Sequence, residues 1–210
     1  MNLPTKRQIK AAVNDVAWDP LNKLIYDCCR KEPGHKTRAA ILTKVMLIGR
    51  IYSVALERGR NGNQNDNEDY YRNVVYPRFR QMRLDRLLDR VSTMGRLSED
   101  NIIEIIETHS YLVSELFPLK EDNKRSFASK YLHFHFPEQF PILDNRARCA
   151  LSKYSIQIGR EWRVRLGRLD LDREYAHFAY RIMRLQQAIH MRRGMRLTLR
   201  EMDKLLLYKK

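Results

Sequence analysis

Cysteine is scarce in this chain of 210 residues, and its three cysteines form no metal-binding or disulfide pattern. Cys28 and Cys29 are adjacent, Cys149 lies far from both, and there is no Cys-x-x-Cys pair. Adjacent cysteines do not staple a loop. The cysteine content therefore argues against a disulfide scaffold and against a zinc site, and it is typical of a protein from a reducing compartment.

Long apolar runs are also missing. No run approaches the roughly 18 residues that a membrane-spanning helix requires. Residues 1–10 are polar and basic and contain no apolar segment, which argues against a signal peptide. We expect a cytoplasmic protein without a membrane partner.

The alternation of apolar and polar residues that marks β-strands is absent too. Apolar residues recur at helical spacing in nearly every segment, and no internal repeat is visible. The sequence therefore predicts an all-α fold with no significant sheet, arranged as a single compact helical unit over residues 1–210. Two helical subdomains with the functional site between them are the alternative. Residues 59–67, rich in glycine and asparagine, are expected to form a loop.

Basic residues are abundant. The chain has 40 Lys and Arg against 25 Asp and Glu, which gives a formal net charge of +15. Such an excess commonly indicates a polyanionic partner, and the guanidinium group of arginine suits phosphate well. The composition therefore favours a nucleic-acid-binding protein over a generally basic one.

Capping and proline signals predict where the helices begin and end. The predicted helices are Thr5–Val16, Asp19–Arg30, Thr37–Arg58, Glu68–Ser92 with a kink or break at Pro77, Ser98 to about Phe117, the helix that carries Lys130, a short helix after Asp144, Arg173–Arg193 and Thr198–Leu207. The helix predicted for Thr37–Arg58 is apolar nearly all round, which is typical of a central core helix.

The strongest chemical candidates, Lys130 and Asp144, lie in one stretch over residues 126–147. Lys130 is part of an apolar helical pattern, on the same predicted face as Ser126 and His133. An extended segment with a proline at position 141 then leads to Asp144, which is placed to cap the following helix. A helix, a tight return and a capped helix predict that the amine and the carboxylate meet in one pocket.

This layout resembles the helix–hairpin–helix DNA glycosylase superfamily, in particular its 8-oxoguanine DNA glycosylase-like bacterial branch. In that family a lysine on one helix attacks C1′ of the sugar, and an aspartate at the start of the next helix assists loss of the base. Lys130 and the aspartate of Phe-Pro-Ile-Leu-Asp144 match these positions, and the resemblance covers roughly the middle and C-terminal half of the chain. The chain departs from the family in two respects. The glycine-rich hairpin that binds DNA phosphate in the family is replaced here by Lys-Glu-Asp-Asn-Lys-Arg at residues 120–125. The spacing between the lysine and the aspartate, Lys130 and Asp144, is also shorter than is usual in the family.

The resemblance implies a DNA glycosylase that flips a damaged or modified base out of double-stranded DNA and excises it, without a cofactor and as a monomer. Both base-excision repair and anti-phage defence against modified bases fit this activity. Lys130 as a nucleophile implies a Schiff base and AP-lyase chemistry. A monofunctional enzyme that uses water is the alternative. Contacts with DNA phosphate are expected from Lys124, Arg125, Arg146 and Arg148.

A narrow polar line on the predicted helix Thr37–Arg58 supplies further candidates. Arg50, Tyr52 and Glu57 are expected to form a wall of the substrate pocket, and a structural ion pair of Glu57 with either Arg50 or Arg58 is the alternative. His133 is expected to contact the flipped base or a phosphate. His133 and His135 do not face each other at a spacing of two residues, so no metal is expected.

Two other functions fit the same composition. One is a non-catalytic nucleic-acid-binding protein that uses the basic helices. The other is a ribonuclease-type toxin that uses His133 and a basic partner for acid–base catalysis. Neither accounts for the layout of Lys130 and Asp144.

Overall fold

The computed structural model describes residues 3–57, 67–116 and 124–208, and every regular element within these ranges is helical. The predicted all-α fold is thereby confirmed. The loop predicted at residues 59–67 lies outside the described residues except for Asn67, and so does the link at residues 120–125 except for Lys124 and Arg125.

The helices in chain order are α1 Lys6–Val13, α2 Asp19–Lys31, α3 Arg38–Ile51, α4 Asn67–Tyr70, α5 Tyr76–Gln81, α6 Leu84–Ser92, α7 Ile102–Leu116, α8 Arg125–His135, α9 Asn145–Ser152, α10 Arg160–Gly167, α11 Arg173–Arg193 and α12 Leu199–Leu207. A π-helical turn, Tyr71–Val75, joins α4 to α5.

Local capping signals set the ends of the helices that were predicted best. Thr5 and Thr198 each accept a hydrogen bond from the third backbone N–H of the helix that follows, and the side chain at that third position bonds back to the cap. This reciprocal capping satisfies two N–H groups that a helix start otherwise leaves unpaired. At the far end of α11, Gly194 has the left-handed φ of 67° that favours glycine.

Four predicted boundaries are wrong. Helix α1 ends at Val13 rather than Val16. Helix α3 ends at Ile51 rather than Arg58, because the chain turns sharply at Ser53, whose φ is +55°. Pro77 does not break its helix: residues 67–81 are helical without interruption, with the π-helical turn Tyr71–Val75 just before the proline, and the break falls at the extended residue Met82. Helix α7 begins at Ile102 rather than after Ser98.

Helix α8 lies at the centre of the packing. It contacts α2, α3 and α7, and eight of its eleven residues are buried. The last helix, α12, packs against α1 and α9, so the C-terminal part of the chain meets both the N-terminus and the start of α9. None of the described helices is long and apolar enough to cross a membrane.

Candidate active site

Lys130 is held inside the protein by the helix that carries it. Phe127, Tyr131 and Phe134 form the predicted apolar face of α8, and all three are buried. The opposite face is also covered, so the side chain of Lys130 is only 2% exposed. Its Nζ donates a hydrogen bond to Ser126 Oγ at 2.8 Å, one helical turn earlier. A buried primary amine on a central helix is uncommon, because lysine ordinarily extends its charge into water.

Asp144 reaches Lys130 from the start of α9. Its Oδ1 accepts the backbone N–H of Ala147 at 2.8 Å, which is the predicted N-cap. Its Oδ2 lies 3.5 Å from Lys130 Nζ. One carboxylate therefore caps the helix with one oxygen and forms an ion pair with the buried amine through the other.

The return between α8 and α9 is fastened by side chains of the helices on which it packs. Ser129 Oγ accepts the N–H of Leu143 at 3.0 Å and lies 3.1 Å from the Leu143 carbonyl oxygen. The carbonyl of Pro141 accepts the hydroxyl of Tyr175 at 3.2 Å. These bonds fix the extended segment that places Asp144 beside Lys130.

Lys130 and Asp144 open into a cavity of about 680 Å³. Pockets of about 300–1,000 Å³ hold ligands of the size of a nucleoside. The lining combines aromatic rings with side chains of both charges. It consists of Asp15, Trp18, Ile51, Tyr52, Ser53, Lys130, Asp144, Arg146, Arg200, Asp203, Lys204, Leu207 and Tyr208.

The environment of Lys130 lowers the pKa of its amine below the usual lysine value. Burial is the largest cause, since it disfavours the charged form. The carboxylates of Asp144 and Asp203 act in the opposite direction and only partly offset the burial. A larger fraction of the amine is therefore neutral, and only the neutral amine is a nucleophile.

Asp203 on α12 is a second carboxylate of the cavity, and sequence reasoning missed it. It is 4% exposed and lies among buried apolar residues of α12 such as Met202, Leu205 and Leu206. The sequence did contain a signal for Asp203. A charged residue at a core-facing position of an amphipathic helix is costly to bury, so it indicates an ion pair or a functional site. What the sequence does not contain is that α12 packs at the start of α9.

Of the three residues predicted to wall the pocket, the structure places only Tyr52 in the cavity lining. Lys130 Nζ lies 5.7 Å from the centroid of the Tyr52 ring, and the Tyr52 hydroxyl donates to Asn22 Oδ1 at 2.5 Å. Arg50 instead pairs with Glu57 at 2.7 Å, as the structural alternative predicted. The turn after Ile51 removes Glu57 from the helix face on which it was expected.

His133 also lies outside the cavity lining, although it shares the helix of Lys130. It is fully buried. Its Nδ1 donates to the Phe140 carbonyl at 2.8 Å, and its Nε2, left as the acceptor, takes the hydroxyl of Tyr26 at 2.7 Å. Burial lowers the pKa of His133 to about 3, so the ring is a neutral structural group.

The four cations predicted to contact DNA occupy different environments. Lys124, before the start of α8, is buried. Arg125 forms ion pairs with Asp172 and, at 3.1 Å, with Glu174. Arg148 lies 3.8 Å from Glu174 as well. Arg146 is exposed and lines the cavity, so it is the one of the four that is placed to meet a phosphate entering with the substrate.

No group of three or more His, Cys, Asp or Glu side chains in the described part of the chain is arranged to hold a metal ion. Comparison with protein-family models, with curated proteins and with solved structures finds no match for this chain. The functional argument therefore rests on the geometry of the cavity.

Proposed function

We propose that the protein is a DNA glycosylase in which Lys130 is the nucleophile and Asp144 assists the loss of the base. The observation that carries the proposal is the ion pair of 3.5 Å between the buried amine and the carboxylate, at the wall of a cavity of about 680 Å³. The basic character of the chain supports a DNA partner. A base extracted from the duplex would enter this cavity.

The proposed chemistry uses the two groups in sequence. Nζ of Lys130, in its neutral form, attacks C1′ of the flipped nucleotide while the bond from C1′ to the base breaks. The positive charge that develops on the sugar is stabilised by the carboxylate of Asp144. The amine loses its extra proton to Asp144. The electron pair of the nitrogen then forms the second bond to C1′ while the C1′–O4′ bond breaks, and O4′ takes the proton back from Asp144, which leaves a Schiff base and an opened sugar. In a monofunctional variant of the mechanism, water replaces the amine and the role of Asp144 is unchanged.

The two alternative functions are supported less well. A ribonuclease built on His133 needs that ring to reach a substrate, and it is fully buried with both nitrogens hydrogen-bonded. A purely binding protein does not require a buried amine, whose desolvation is costly. The Lys130–Asp144 pair therefore favours catalysis.

The experiment that tests this proposal is an excision screen. The protein is incubated with duplexes that each carry one damaged or modified base, including 8-oxoguanine and 5-hydroxymethylcytosine, and with an unmodified RNA. Alkali-labile sites in one DNA duplex are expected, and Asp144→Asn should slow their formation without unfolding the protein, because asparagine caps a helix nearly as well as aspartate. RNA fragments would indicate a ribonuclease. A gel shift that weakens with salt, without any excision, would indicate a binder.

A further inference from the structure

Asp203 is a buried carboxylate of the cavity that the proposed chemistry has not yet used. Helix α12 brings it to the cavity and is itself anchored at the neighbouring residue. Lys204 Nζ donates to the Val13 carbonyl at 3.3 Å and to Asp19 Oδ2 at 2.9 Å. The position of Asp203 is therefore fixed by packing and by bonds on the next residue of the helix.

The two oxygens of Asp203 differ. Oδ2 accepts a hydrogen bond from Arg200 Nη1 at 2.5 Å. Oδ1 is buried and has no hydrogen-bond partner among the described residues. Buried carboxylate oxygens are almost always satisfied, and leaving one unpaired is costly. Asp203 is also one of the residues that line the ligand-sized cavity, so an unsatisfied oxygen on this side chain indicates a group that bonds to the ligand once the carboxyl group turns toward it.

The charges around Asp203 hold it near the balance between its two protonation states. Burial and the nearby carboxylate of Asp144 raise the pKa of Asp203 to about 6, against the cations of Arg200, Lys130 and Arg146, which lower it. The remaining ionisable groups that interact with it are the hydroxyls of Tyr26 and Tyr52, whose pKa values burial raises further above neutrality. They stay protonated and neutral. Asp203 is therefore able to carry a proton that Asp144, occupied by Ala147 and Lys130, is not placed to supply.

We propose that Asp203 is the general acid of this cavity and that the substrates are uncharged nucleobases rather than cationic N-alkylated ones. This inference rests on the proposed glycosylase function and adds the substrate class. An uncharged base leaves as an anion unless it is protonated, whereas a cationic base leaves as a neutral molecule. Two carboxylates with different environments, one acid and one electrostatic partner, divide these tasks.

The proton and electrons balance as follows. The bond between C1′ and the base nitrogen breaks, and its electron pair departs with the base. The proton on the carboxyl group of Asp203 passes to a ring nitrogen or exocyclic oxygen of the base, which leaves as a neutral molecule. Nζ of Lys130 supplies the electron pair of the new bond to C1′, and its surplus proton goes to Asp144. The carboxylate left on Asp203 is stabilised by Arg200, which already bonds its other oxygen.

The test compares two reactions that share Lys130 but not the acid. A duplex with an abasic site has no base to lose, so Schiff-base formation there, trapped with borohydride, requires the lysine but not the proton that Asp203 gives to a departing base. Release of 8-oxoguanine or 5-hydroxymethylcytosine requires the acid as well, and release of N7-methylguanine, a cation, does not. The proteins are wild type, Asp203→Asn, Asp203→Glu and the control Asp89→Asn, which removes an exposed carboxylate on α6 that lies outside the cavity lining. Melting temperatures confirm that each is folded.

We expect Asp203→Asn to trap abasic DNA at close to the wild-type rate but to release the uncharged base at least about 100-fold more slowly, the usual scale of general acid catalysis. Asp203→Glu should recover part of the loss, and Asp89→Asn should match wild type in both reactions. If Asp203→Asn does not fold, the pH profile of the wild type decides, since the rate of release must then fall above about pH 6, where Asp203 loses its proton.

Other results overturn the inference. Equal release of an uncharged base by wild type and Asp203→Asn would show that Asp203 is not the acid. Equal loss of both reactions would show that it only positions Lys130. Release of N7-methylguanine alone by the wild type would contradict the substrate class. A wild-type protein that neither traps abasic DNA nor releases any base would contradict the glycosylase function itself.

Discussion

The side chain of Ser129 contacts both backbone groups of Leu143. The Ser129 hydroxyl accepts the Leu143 N–H at 3.0 Å and lies 3.1 Å from the Leu143 carbonyl oxygen. Ser129 precedes Lys130, and Leu143 precedes Asp144. Because each contact residue is the neighbour of a site residue, this contact helps to set the distance between Lys130 and Asp144. A single hydroxyl group couples the two helices that form the site.

Replacement of Ser129 by alanine should weaken both the fold and the site. The buried N–H of Leu143 loses its acceptor, which costs about 1–3 kcal/mol in the free energy of unfolding. The Lys130–Asp144 pair is then held less firmly, so trapping of abasic DNA should slow. Urea unfolding and trapping rates measure the two effects. Ser152→Ala is the matched control, because that hydroxyl bonds only within α9 and is exposed; if it has the same effect on trapping, the Ser129 contact has no special role.

Acid should destabilise the protein from about pH 6.5 downward. Burial lowers the pKa of His109 and of His133 to about 3, while the unfolded chain keeps the ordinary value of 6.5. Between these pH values the unfolded state binds more protons, so the free energy of unfolding falls as pH falls, by up to about 1.4 kcal/mol per pH unit for each histidine. Asp203, with its raised pKa, offsets one histidine between about pH 6 and pH 4, because there the folded state holds the extra proton.

His109→Phe isolates one of these contributions. The ring of His109 stacks on Tyr175 with centroids 3.5 Å apart, an arrangement that phenylalanine retains. Urea unfolding at pH 6.5 and at pH 5 should show a smaller loss of stability in the variant than in the wild type. An unchanged difference between the two pH values would mean that His109 is not responsible.

The pH dependence of base release should move when Arg200 is replaced. Its guanidinium lowers the pKa of Asp203, so Arg200→Gln should raise that pKa and shift the alkaline limb of the profile to higher pH. Single-turnover release between pH 5 and pH 9 measures the limb. Arg184→Gln, which removes a cation paired with Glu99, should leave the limb in place. A limb that stays fixed in Arg200→Gln, or moves to lower pH, would show that it belongs to another group.

The pair of Arg50 and Glu57 should matter for stability and not for catalysis. Glu57 is buried, pairs with Arg50 at 2.7 Å and accepts the hydroxyl of Tyr71. Glu57→Ala leaves the buried hydroxyl of Tyr71 without its acceptor, whereas the half-exposed Arg50 is solvated by water, and we expect a loss of about 1–3 kcal/mol in the free energy of unfolding. Trapping of abasic DNA at a temperature where the variant is folded should be normal. Loss of trapping by the folded Glu57→Ala variant would show that Glu57 contributes to the substrate pocket after all.

The parts of the site that were predictable are those encoded within a few residues. Helical spacing placed Lys130 among buried aromatic residues, and the extended segment before Asp144 indicated an N-cap. Both signals are local, so no knowledge of tertiary packing is needed. Glu57 was predicted to lie on α3 because the apolar spacing continues past the end of that helix. The turn that ends the helix at Ser53 contains no glycine, so the sequence carries no signal for it. Asp203 was missed because its role depends on packing between distant helices.

The most direct measurement of the central claim is the location of a covalent bond. The protein is incubated with a duplex that carries an abasic site, the Schiff base is reduced with borohydride, and the cross-linked peptide is identified by mass spectrometry. The proposed function predicts an adduct on Lys130 that is abolished in Lys130→Ala, while Lys204→Ala, which removes another amine of the same cavity, still gives it. An adduct on a different lysine, or undiminished trapping by a folded Lys130→Ala protein, would contradict Lys130 as the nucleophile.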